Sequence, residues 1–205
     1  MLQRTKAFGV ADSRGYAAQK RAIDLIFALA VVILGGWLML AVWLLIRVES
    51  KGPGLFMQER VGQHGDLITV YKFRTMHVGT REAGTHEIAA SAVTRVGRLL
   101  RRTKIDELPQ VINIFRNELS LVGPRPCLPS QTELVDARGA AGVLTVKPGI
   151  TGLAQVNAID MSDPYVLTEW DSRYLTERSV GLDLRIIVST FAGSGRGDRV
   201  IRPSD

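Results

Sequence analysis

A stretch of the chain near its N-terminus, from Leu25 to Ile46, contains no charged residue. Leucine, isoleucine, valine, alanine and tryptophan make up most of it. About 22 helical residues rise about 33 Å, which matches the hydrocarbon core of a bilayer. The run is too long for the apolar part of a secretory signal peptide, and no small-residue cleavage site follows it. A helix buried in a soluble core is the remaining alternative, but so uniform a run predicts a membrane-embedded helix.

The expected topology of this helix is more complex than a single crossing. Gly35–Gly36 lies in the middle of the run and weakens a helix there. Lys20 and Arg21 precede the run, and Arg47 and Lys51 follow it, so positive charge flanks both ends. Positively charged flanks favour the cytoplasmic side of the membrane. Positive charge at both ends is therefore expected of a hairpin whose two ends both lie in the cytoplasm. We therefore predict a re-entrant segment over a spanning one.

The rest of the chain predicts a mainly helical α+β domain with a few short strands. We divide the chain into a basic N-terminal segment, 1–19, a membrane-embedded helix, 20–51, and a globular domain, 52–205, whose Gly- and Arg-rich end is expected to fray. The boundary at 52 rests on a Gly-Pro-Gly turn signal. A strand is predicted at 67–76, a surface loop at 78–92, and helices at 91–102, 128–141, 164–177 and 182–191. The last two helices are predicted to be amphipathic and to lie at the membrane interface.

The charge of the chain points to anionic partners. A formal charge of +6 and a pI near 9.8 favour phosphates, nucleotides, an acidic membrane face or nucleic acid. Nucleic acid is disfavoured, because the arginine-rich helix at 91–102 lacks interleaved aromatic residues. Cys127 is the only cysteine, which excludes a disulfide framework, and the three histidines lack the spacing of zinc ligands.

Two adjacent carboxylates, Asp106 and Glu107, follow a dense run of cations and precede an apolar segment. Apolar residues from Leu108 onwards recur at helical spacing, so a helix is predicted to begin near Asp106. Pro109 fits only the first turn of such a helix, which puts both acids at its N-terminus. That position favours carboxylates and phosphates alike. On its own, such a pair is more often ordinary helix capping than a reactive site.

Cations from distant segments are candidates for the same site. Lys72 and Arg74 share one face of the predicted strand, where they are either solvated or meet a phosphate. Arg125 stands between two prolines in Gly123–Pro126, and this restricted backbone prepares its guanidinium for bidentate phosphate binding. A structural turn explains the prolines equally well. Pro148–Gly152 contains a Pro-Gly turn signal and a second glycine, which permits close backbone approach.

Four motifs, taken in their order along the chain, carry a family resemblance. They are Tyr71–Met76, Asp106–Gln110, Gly123–Pro126 and Pro148–Asn157. With them, the chain from Lys20 to Asp183 resembles the bacterial sugar transferases, and more closely the small monotopic polyprenyl-phosphate phosphoglycosyl transferases. Each motif alone is a modest signal, whereas all four behind one apolar segment are a strong one.

The resemblance implies a reaction and a set of residues. The family transfers a sugar-1-phosphate from a UDP-sugar to polyprenyl (undecaprenyl) phosphate, releases UMP and uses Mg²⁺, as the first membrane step of a glycoconjugate or exopolysaccharide pathway. By resemblance, Asp106 is the nucleophile that forms a covalent phosphosugar intermediate, and Glu107 is a Mg²⁺ ligand. The same resemblance implies the bacterial inner membrane, with the domain on its cytoplasmic face against an anionic bilayer. The implied substrate- and phosphate-binding residues are Lys72, Arg74, Arg101, Pro124, Arg125, Lys147 and Gln155.

The membrane helix departs from the family pattern. Family members commonly carry Ser-Pro in the middle of the segment, where it breaks the helix into a hairpin. Gly36–Trp37 stands at that place in this chain. Glycine permits a bend but does not enforce one as proline does.

Two other functions use some of the same features. A membrane-bound hydrolase of nucleotide sugars or lipid diphosphates needs the same phosphate site, but it needs no polyprenyl phosphate acceptor. A non-catalytic, membrane-anchored basic protein that binds anionic lipid or nucleic acid does not require an acidic pair among cations, which makes it the weakest alternative. The sequence predicts neither the transferred sugar nor the oligomeric state.

Overall fold

The computed structural model describes residues 13–80 and 92–193. Most of the basic N-terminal segment, most of the predicted loop at 78–92 and the C-terminal tail lie outside these ranges. Short 3-10 helices lie at Gln63–Gly65, Ile105–Gln110 and Val143–Thr145. The α-helices are α1 (Ser13–Glu49), α2 (Arg95–Thr103), α3 (Val111–Phe115), α4 (Thr132–Ala140), α5 (Leu153–Val156), α6 (Pro164–Glu177) and α7 (Val180–Phe191), and the strands are β1 (Leu55–Val61), β2 (Leu67–Phe73), β3 (Ser120–Val122) and β4 (Gly149–Thr151).

Helix α1 carries a long apolar surface that the rest of the protein does not cover. Its central side chains Ile33, Leu34 and Trp37 are 67%, 72% and 72% exposed. Within the described residues, α1 is the one helix long and apolar enough to cross a membrane. It remains helical through Gly35–Gly36, so the predicted break into a hairpin is absent from its secondary structure. Unlike proline, glycine keeps its backbone N–H donor. Because a backbone in hydrocarbon retains its internal hydrogen bonds, the helix continues through the two glycines.

The N-terminal part of α1 is bound to the domain by polar contacts. The Lys20 ammonium lies 2.8 Å from a carboxylate oxygen of Asp183 on α7. Asp24 is buried, and its carboxylate accepts hydrogen bonds from the Ser120 hydroxyl at 3.1 Å and the Leu121 amide at 2.9 Å. Lys20 and Asp183, which bound the stretch that resembles the family, therefore attach the beginning of α1 to α7, and Asp24 attaches it to β3.

The C-terminal part of α1 contacts the same domain. Val42 and Ile46 pack with Phe73 and Leu100 in a buried apolar cluster. The Glu49 carboxylate accepts a hydrogen bond from the first turn of α2, at the Val96 amide, over 3.1 Å. Both ends of α1 are thus attached to one domain, whereas a simple crossing places the bilayer between that domain and one end of the helix.

The strands form two separate two-stranded sheets in the part of the chain that the structure describes. β1 and β2 are antiparallel, with Leu55 opposite Phe73 and Val61 opposite Leu67. β3 and β4 are parallel, with Val122 opposite Thr151. The helices predominate over these short strands, which confirms the predicted α+β class.

The two proline- and glycine-containing motifs pack backbone against backbone beyond β3. The Gly123 amide donates to the Thr151 carbonyl at 2.9 Å, and the Gly149 amide donates to the Pro124 carbonyl at 2.9 Å. A methyl group at Gly123 would lie 2.6 Å from the Lys147 carbonyl oxygen, so only glycine fits this approach. The pairing of these motifs fixes the backbone that leads into Arg125.

Helix α7 has an apolar face that continues the exposed surface of α1. Leu184, Val188 and Phe191 are exposed, while Ile186 is buried against the core. The Phe191 ring also contacts the Phe27 ring of α1, with centroids 6.5 Å apart. This arrangement is the one expected of an interfacial amphipathic helix beside a membrane-embedded helix.

Several predicted elements differ in detail from the structure: the helices predicted at 91–102 and 128–141 begin only at Arg95 and Thr132. The helix predicted to begin near Asp106 is a 3-10 helix up to Gln110 and an α-helix only from there to Phe115. Phe115 is exposed, and the helix ends before the buried Leu119, so the apolar repeat overstated its length. The strand predicted to reach Met76 ends at Phe73, beyond which Met76 makes only an isolated bridge to Val93.

Candidate active site

Three distant segments meet at the carboxylate of Glu107. Its Oε1 atom accepts from the Lys72 ammonium at 3.0 Å and from both terminal nitrogens of Arg125 at 3.2 Å. The three side chains, which we call the Glu107 cluster, are 13%, 22% and 18% exposed in the order Glu107, Lys72 and Arg125. The cluster is therefore largely shielded but still open to solvent, as a site for a charged substrate must be.

Asp106 directly precedes Glu107 in the same 3-10 helix. It is buried, together with Pro109 and Gln110 of the same 3-10 helix. Lys104 precedes that helix in the left-handed conformation, with φ of 58°, and ends α2. This sharp reversal, with Pro109 inside the turn that follows, sets both acids in the first turn, as the sequence predicts.

Arg101 lies in the last turn of α2, five residues before Asp106. The Lys104 amide donates to the Arg101 carbonyl at 3.3 Å, so a single tight turn joins Arg101 to the 3-10 helix. The last turn of a helix favours cations, which is consistent with Arg101 and Arg102 standing there. Only a short turn therefore separates Arg101 from the acidic pair along the chain.

Lys72 is positioned by a buried amide that sequence patterns did not single out. Asn113 is fully buried, and its Nδ2 donates to the Thr69 carbonyl at 2.6 Å while its Oδ1 accepts from the Tyr71 amide at 3.2 Å. A second Nδ2 hydrogen bond goes to the Glu118 carboxylate at 2.6 Å. Because Asn113 follows the acidic pair along the chain, these bonds fix β2, and with it Lys72, against the segment that carries Glu107.

Arg125 is positioned by a buried ion pair that the sequence also did not predict. Arg138 on α4 contacts the Asp171 carboxylate of α6 at 2.7 and 3.0 Å, and both residues are 2% exposed. The remaining Arg138 nitrogen donates to the Arg125 carbonyl at 2.8 Å. Burial raises the pKa of Asp171 above its usual value, and the Arg138 guanidinium opposes that rise. On the other side of the loop, Arg60 donates to the Pro126 carbonyl at 3.2 Å.

Arg74 lies at the end of α1 and donates hydrogen bonds to residues there. Its guanidinium donates to the Ser50 carbonyl and hydroxyl, each at 2.8 Å, and to the Lys51 carbonyl at 3.1 Å. These are the carbonyl groups that a helix C-terminus leaves without an internal partner. The geometry gives Arg74 a helix-capping role, although the sequence grouped it with Lys72.

Lys147, Gln155 and Pro124 surround the paired glycine motifs rather than Glu107. The Lys147 ammonium donates to the Asn117 side-chain oxygen. The Gln155 amide donates to the Ile150 carbonyl at 3.3 Å, and the Pro124 carbonyl accepts from Gly149. Of the predicted site residues, the structure therefore gathers Lys72, Glu107 and Arg125, with Asp106 adjacent in the chain. Lys147, Gln155 and Pro124 have other partners.

The cluster combines groups suited to phosphate chemistry. The two cations can bind a diphosphate, and the buried carboxylate next to Glu107 can attack phosphorus. No group of three or more His, Cys, Asp or Glu side chains in the described ranges is arranged to hold a metal. Mg²⁺ prefers few protein carboxylates together with phosphate and water oxygens, so Glu107 fits a metal that the substrate phosphates complete.

Comparisons with known proteins agree with the motifs. The bacterial sugar transferase family matches residues 15–196. The chain is 37% identical to the UDP-N-acetylgalactosamine-undecaprenyl-phosphate N-acetylgalactosaminephosphotransferase of Aeromonas hydrophila, over 86% of this chain and 43% of that protein. It is 37% identical to the UDP-glucose:undecaprenyl-phosphate glucose-1-phosphate transferase of Caulobacter vibrioides, over 84% of this chain and 68% of that protein. An uncharacterized sugar transferase of Bacillus subtilis is 38% identical, over 83% of this chain and 84% of its own length. The chain belongs to the bacterial sugar transferase family.

Proposed function

We propose that this protein transfers a sugar-1-phosphate from a UDP-sugar to a polyprenyl phosphate such as undecaprenyl phosphate, and releases UMP. The observation that carries the proposal is the Glu107 cluster beside the buried Asp106, on a domain attached to an apolar helix. The two relatives of stated activity are named for a UDP-sugar donor and an undecaprenyl-phosphate acceptor. A cationic site at a membrane suits both of these phosphate substrates, one soluble and one in the lipid.

Asp106 is the proposed nucleophile. Its carboxylate oxygen attacks the phosphorus that carries the sugar, and the bond from that phosphorus to the bridging oxygen breaks, so UMP leaves with the electron pair. The resulting aspartyl phosphosugar is then attacked by an oxygen of polyprenyl phosphate, which forms the polyprenyl diphosphosugar and frees the Asp106 carboxylate. Two displacements at one residue replace a direct reaction between two anions.

The cations of the site would lower the cost of bringing these anions together. Lys72 and Arg125 converge on one oxygen of Glu107, so their donors already lie within a few ångströms of each other. Arg101, one tight turn before Asp106, adds positive charge from a third element. Donors fixed before the substrate arrives stabilise the charge that develops on phosphate oxygens without reorganising.

Glu107 would hold a Mg²⁺ ion that the substrate phosphates complete. When bound, such an ion supplies charge neutralisation on the diphosphate. The residues of the chain then have separate tasks, because Glu107 fixes Lys72 and Arg125 while Asp106 attacks. This division explains why two adjacent carboxylates are present where capping needs only one.

We propose that α1 is re-entrant, with both ends and the domain on the cytoplasmic face of the bacterial inner membrane. Support comes from the contacts of both ends of α1 with one domain, at Asp183 and at Phe73. Cysteines introduced at the exposed Ala18 and Lys51 test this in intact cells, because the native Cys127 is buried. Equal protection of both sites from an impermeant thiol reagent is expected, and labelling of one site alone would reject the placement of both ends of α1 on one side of the membrane.

The reaction is tested by measuring UMP release from a panel of UDP-sugars, with and without polyprenyl phosphate. Multiple-turnover release that requires the acceptor is expected for the native chain, and its absence for Asp106→Asn. Asp136→Asn, an exposed aspartate on α4, is the matched control and should keep native turnover. Turnover that proceeds equally without acceptor would identify a hydrolase instead, and native turnover by Asp106→Asn would remove Asp106 from the mechanism.

A further inference from the structure

A second cationic site lies at the opposite end of α1 from the Glu107 cluster. A cavity of ≈ 230 Å³ is lined by four cations, and no member of the Glu107 cluster lines it. The cations come from separate parts of the chain: Lys20 and Arg21 from α1, Lys147 from the segment before β4, and Arg178 from the end of α6. Such convergence of like charges on one cavity requires a physical explanation.

Nearby carboxylates compensate only part of this charge. Asp183 pairs with Lys20 at 2.8 Å. Asp24 lines the cavity, but its carboxylate already accepts from the Ser120 hydroxyl and the Leu121 amide. Four cations against these two carboxylates leave an excess of two positive charges around the cavity.

The excess is shared by Arg21, Lys147 and Arg178. The Arg21 guanidinium donates to the neutral Ile114 carbonyl at 2.7 Å. Lys147 donates to the neutral amide oxygen of Asn117, which supplies no compensating charge. Burial lowers the pKa of Lys147, and the nearby Arg21 lowers it further. Arg178 makes no hydrogen bond or ion pair with any residue in the described ranges. An anion in the cavity would offset both the burial and the repulsion.

The height of the cavity along α1 suggests the source of that anion. Five residues of α1 between Tyr16 and Asp24 line the cavity, and the uncharged run of α1 begins at the next residue. Arg178 lies two residues before α7, whose exposed Val188 and Phe191 continue the apolar surface of α1. A helix that enters the bilayer at Leu25 places this cavity at the level of lipid phosphates. The phosphate of a soluble nucleotide has the same chemistry and is the other possible source.

We propose that this cavity binds a phosphate-bearing anion at a site separate from the Glu107 cluster. Lys147 and Arg178 contact the phosphate, while the Lys20–Asp183 pair and Asp24 form a polar wall that holds α1 in place. An anionic phospholipid in this position links the entry point of α1 to the segment before β4. The proposal goes beyond the proposed transferase reaction and does not depend on it.

The test measures binding to the purified full chain in an uncharged detergent. The probes are dihexanoyl phosphatidylglycerol, dihexanoyl phosphatidylcholine as the zwitterionic control, and UMP. The variants are Lys147→Met and Arg178→Gln, and the charge-matched controls are Arg173→Gln and Arg185→Gln, which change exposed arginines outside the cavity. Arg178→Gln removes no internal hydrogen bond and so preserves a folded variant for the comparison.

Each cavity variant is expected to weaken the binding of phosphatidylglycerol about fivefold, as the loss of one basic residue near a lipid phosphate does. The control variants should stay within about twofold of the native affinity, because exposed charges act weakly. If the nucleotide is the source instead, Arg178→Gln weakens UMP binding even in a chain that also carries Lys72→Gln, whose Glu107 cluster is already impaired. The proposal is overturned if the cavity variants and the controls bind both phosphatidylglycerol and UMP alike.

Discussion

The buried pair of Arg138 and Asp171 allows stability to be separated from the positioning of Arg125. Arg138→Met removes two contacts to the Asp171 carboxylate, at 2.7 and 3.0 Å, and leaves that carboxylate buried. Removing one partner of a buried ion pair costs about 3–5 kcal/mol. For a chain of this size, each kcal/mol lowers Tm by about 2–4 °C, so a fall of about 6–20 °C is expected.

The same substitution acts on activity through a different bond. Arg138 also donates to the Arg125 carbonyl at 2.8 Å, and Arg125 reaches Glu107 at 3.2 Å. A displacement of about 1 Å in a substrate-binding group costs up to about a hundredfold in rate, so we expect a loss of tenfold or more in kcat/KM. Arg138→Met/Asp171→Leu removes the unpaired carboxylate and should regain most of the stability, but it cannot restore the donor to Arg125.

The stability deficit of Arg138→Met should depend on pH in a defined direction. Burial already raises the pKa of Asp171, and loss of the guanidinium raises it further. A group whose pKa is raised on folding stabilises the protein below its unfolded pKa, and this contribution is lost as pH rises through the folded pKa. The deficit relative to the native chain is therefore largest at neutral pH and shrinks as the solution is acidified.

Thermal unfolding in detergent and steady-state UMP release measure the two effects. Arg173→Met, which breaks an exposed pair with Glu177 on α6, is the matched control and should change stability by less than about 1 kcal/mol. The reasoning is refuted if Arg138→Met is as stable as the control. It is also refuted if the double variant regains native kcat/KM, because the Arg125 contact would then have no role.

Three further predictions concern the backbone, the cations and the metal. Gly123→Ala should cost about 1–3 kcal/mol by unfolding measurements, because the added methyl meets the Lys147 carbonyl at 2.6 Å, whereas Gly139→Ala, in open helix surface, should be neutral or stabilising. Lys72→Gln should lower kcat in UMP release about 10²–10³-fold, as the loss of one preorganised donor does, and a change confined to KM would contradict its transition-state role. Excess chelator should stop turnover and Mg²⁺ should restore it, and turnover that persists in chelator would remove the metal from the role of Glu107.

The sequence predicted best those elements whose ends carry their own local signals. The predicted helix at 164–177 matches α6, because Pro164 occupies its first turn and the Asp163 side chain accepts from the amides of Tyr165 and Val166. The uncharged run of α1 was equally clear, because its length and composition alone predict a membrane element. Local patterns sufficed where one segment determined the outcome.

The sequence predicted less well where distant segments decide the structure. Lys72 and Glu107 lie 35 residues apart, and only the family motifs suggested that they share a site. Arg74 was grouped with Lys72 by strand alternation, but β2 ends at Phe73 and the alternation does not apply beyond that point. Arg138 and Asp171 lie in two helices with no shared pattern, so their pairing becomes visible only in the folded chain.

The alternative functions now differ in how much they explain. A basic membrane anchor accounts for the charge and α1, but not for a largely shielded carboxylate held by Lys72 and Arg125. A membrane-bound hydrolase accounts for the cluster and for the apolar helix, and it differs from a transferase in needing no polyprenyl phosphate for UMP release. Transfer to a lipid phosphate uses both features, since the acceptor must reach the Glu107 cluster from the bilayer.

The most direct test of the account is to trap the intermediate on Asp106. The purified chain is incubated with Mg²⁺ and its UDP-sugar without polyprenyl phosphate, and peptides covering residues 101–116 are weighed by mass spectrometry. We predict an added sugar phosphate on Asp106 that disappears when polyprenyl phosphate is supplied, and no such adduct in Asp106→Asn. UMP release with an unmodified Asp106, or an adduct on another residue, would contradict the proposed mechanism.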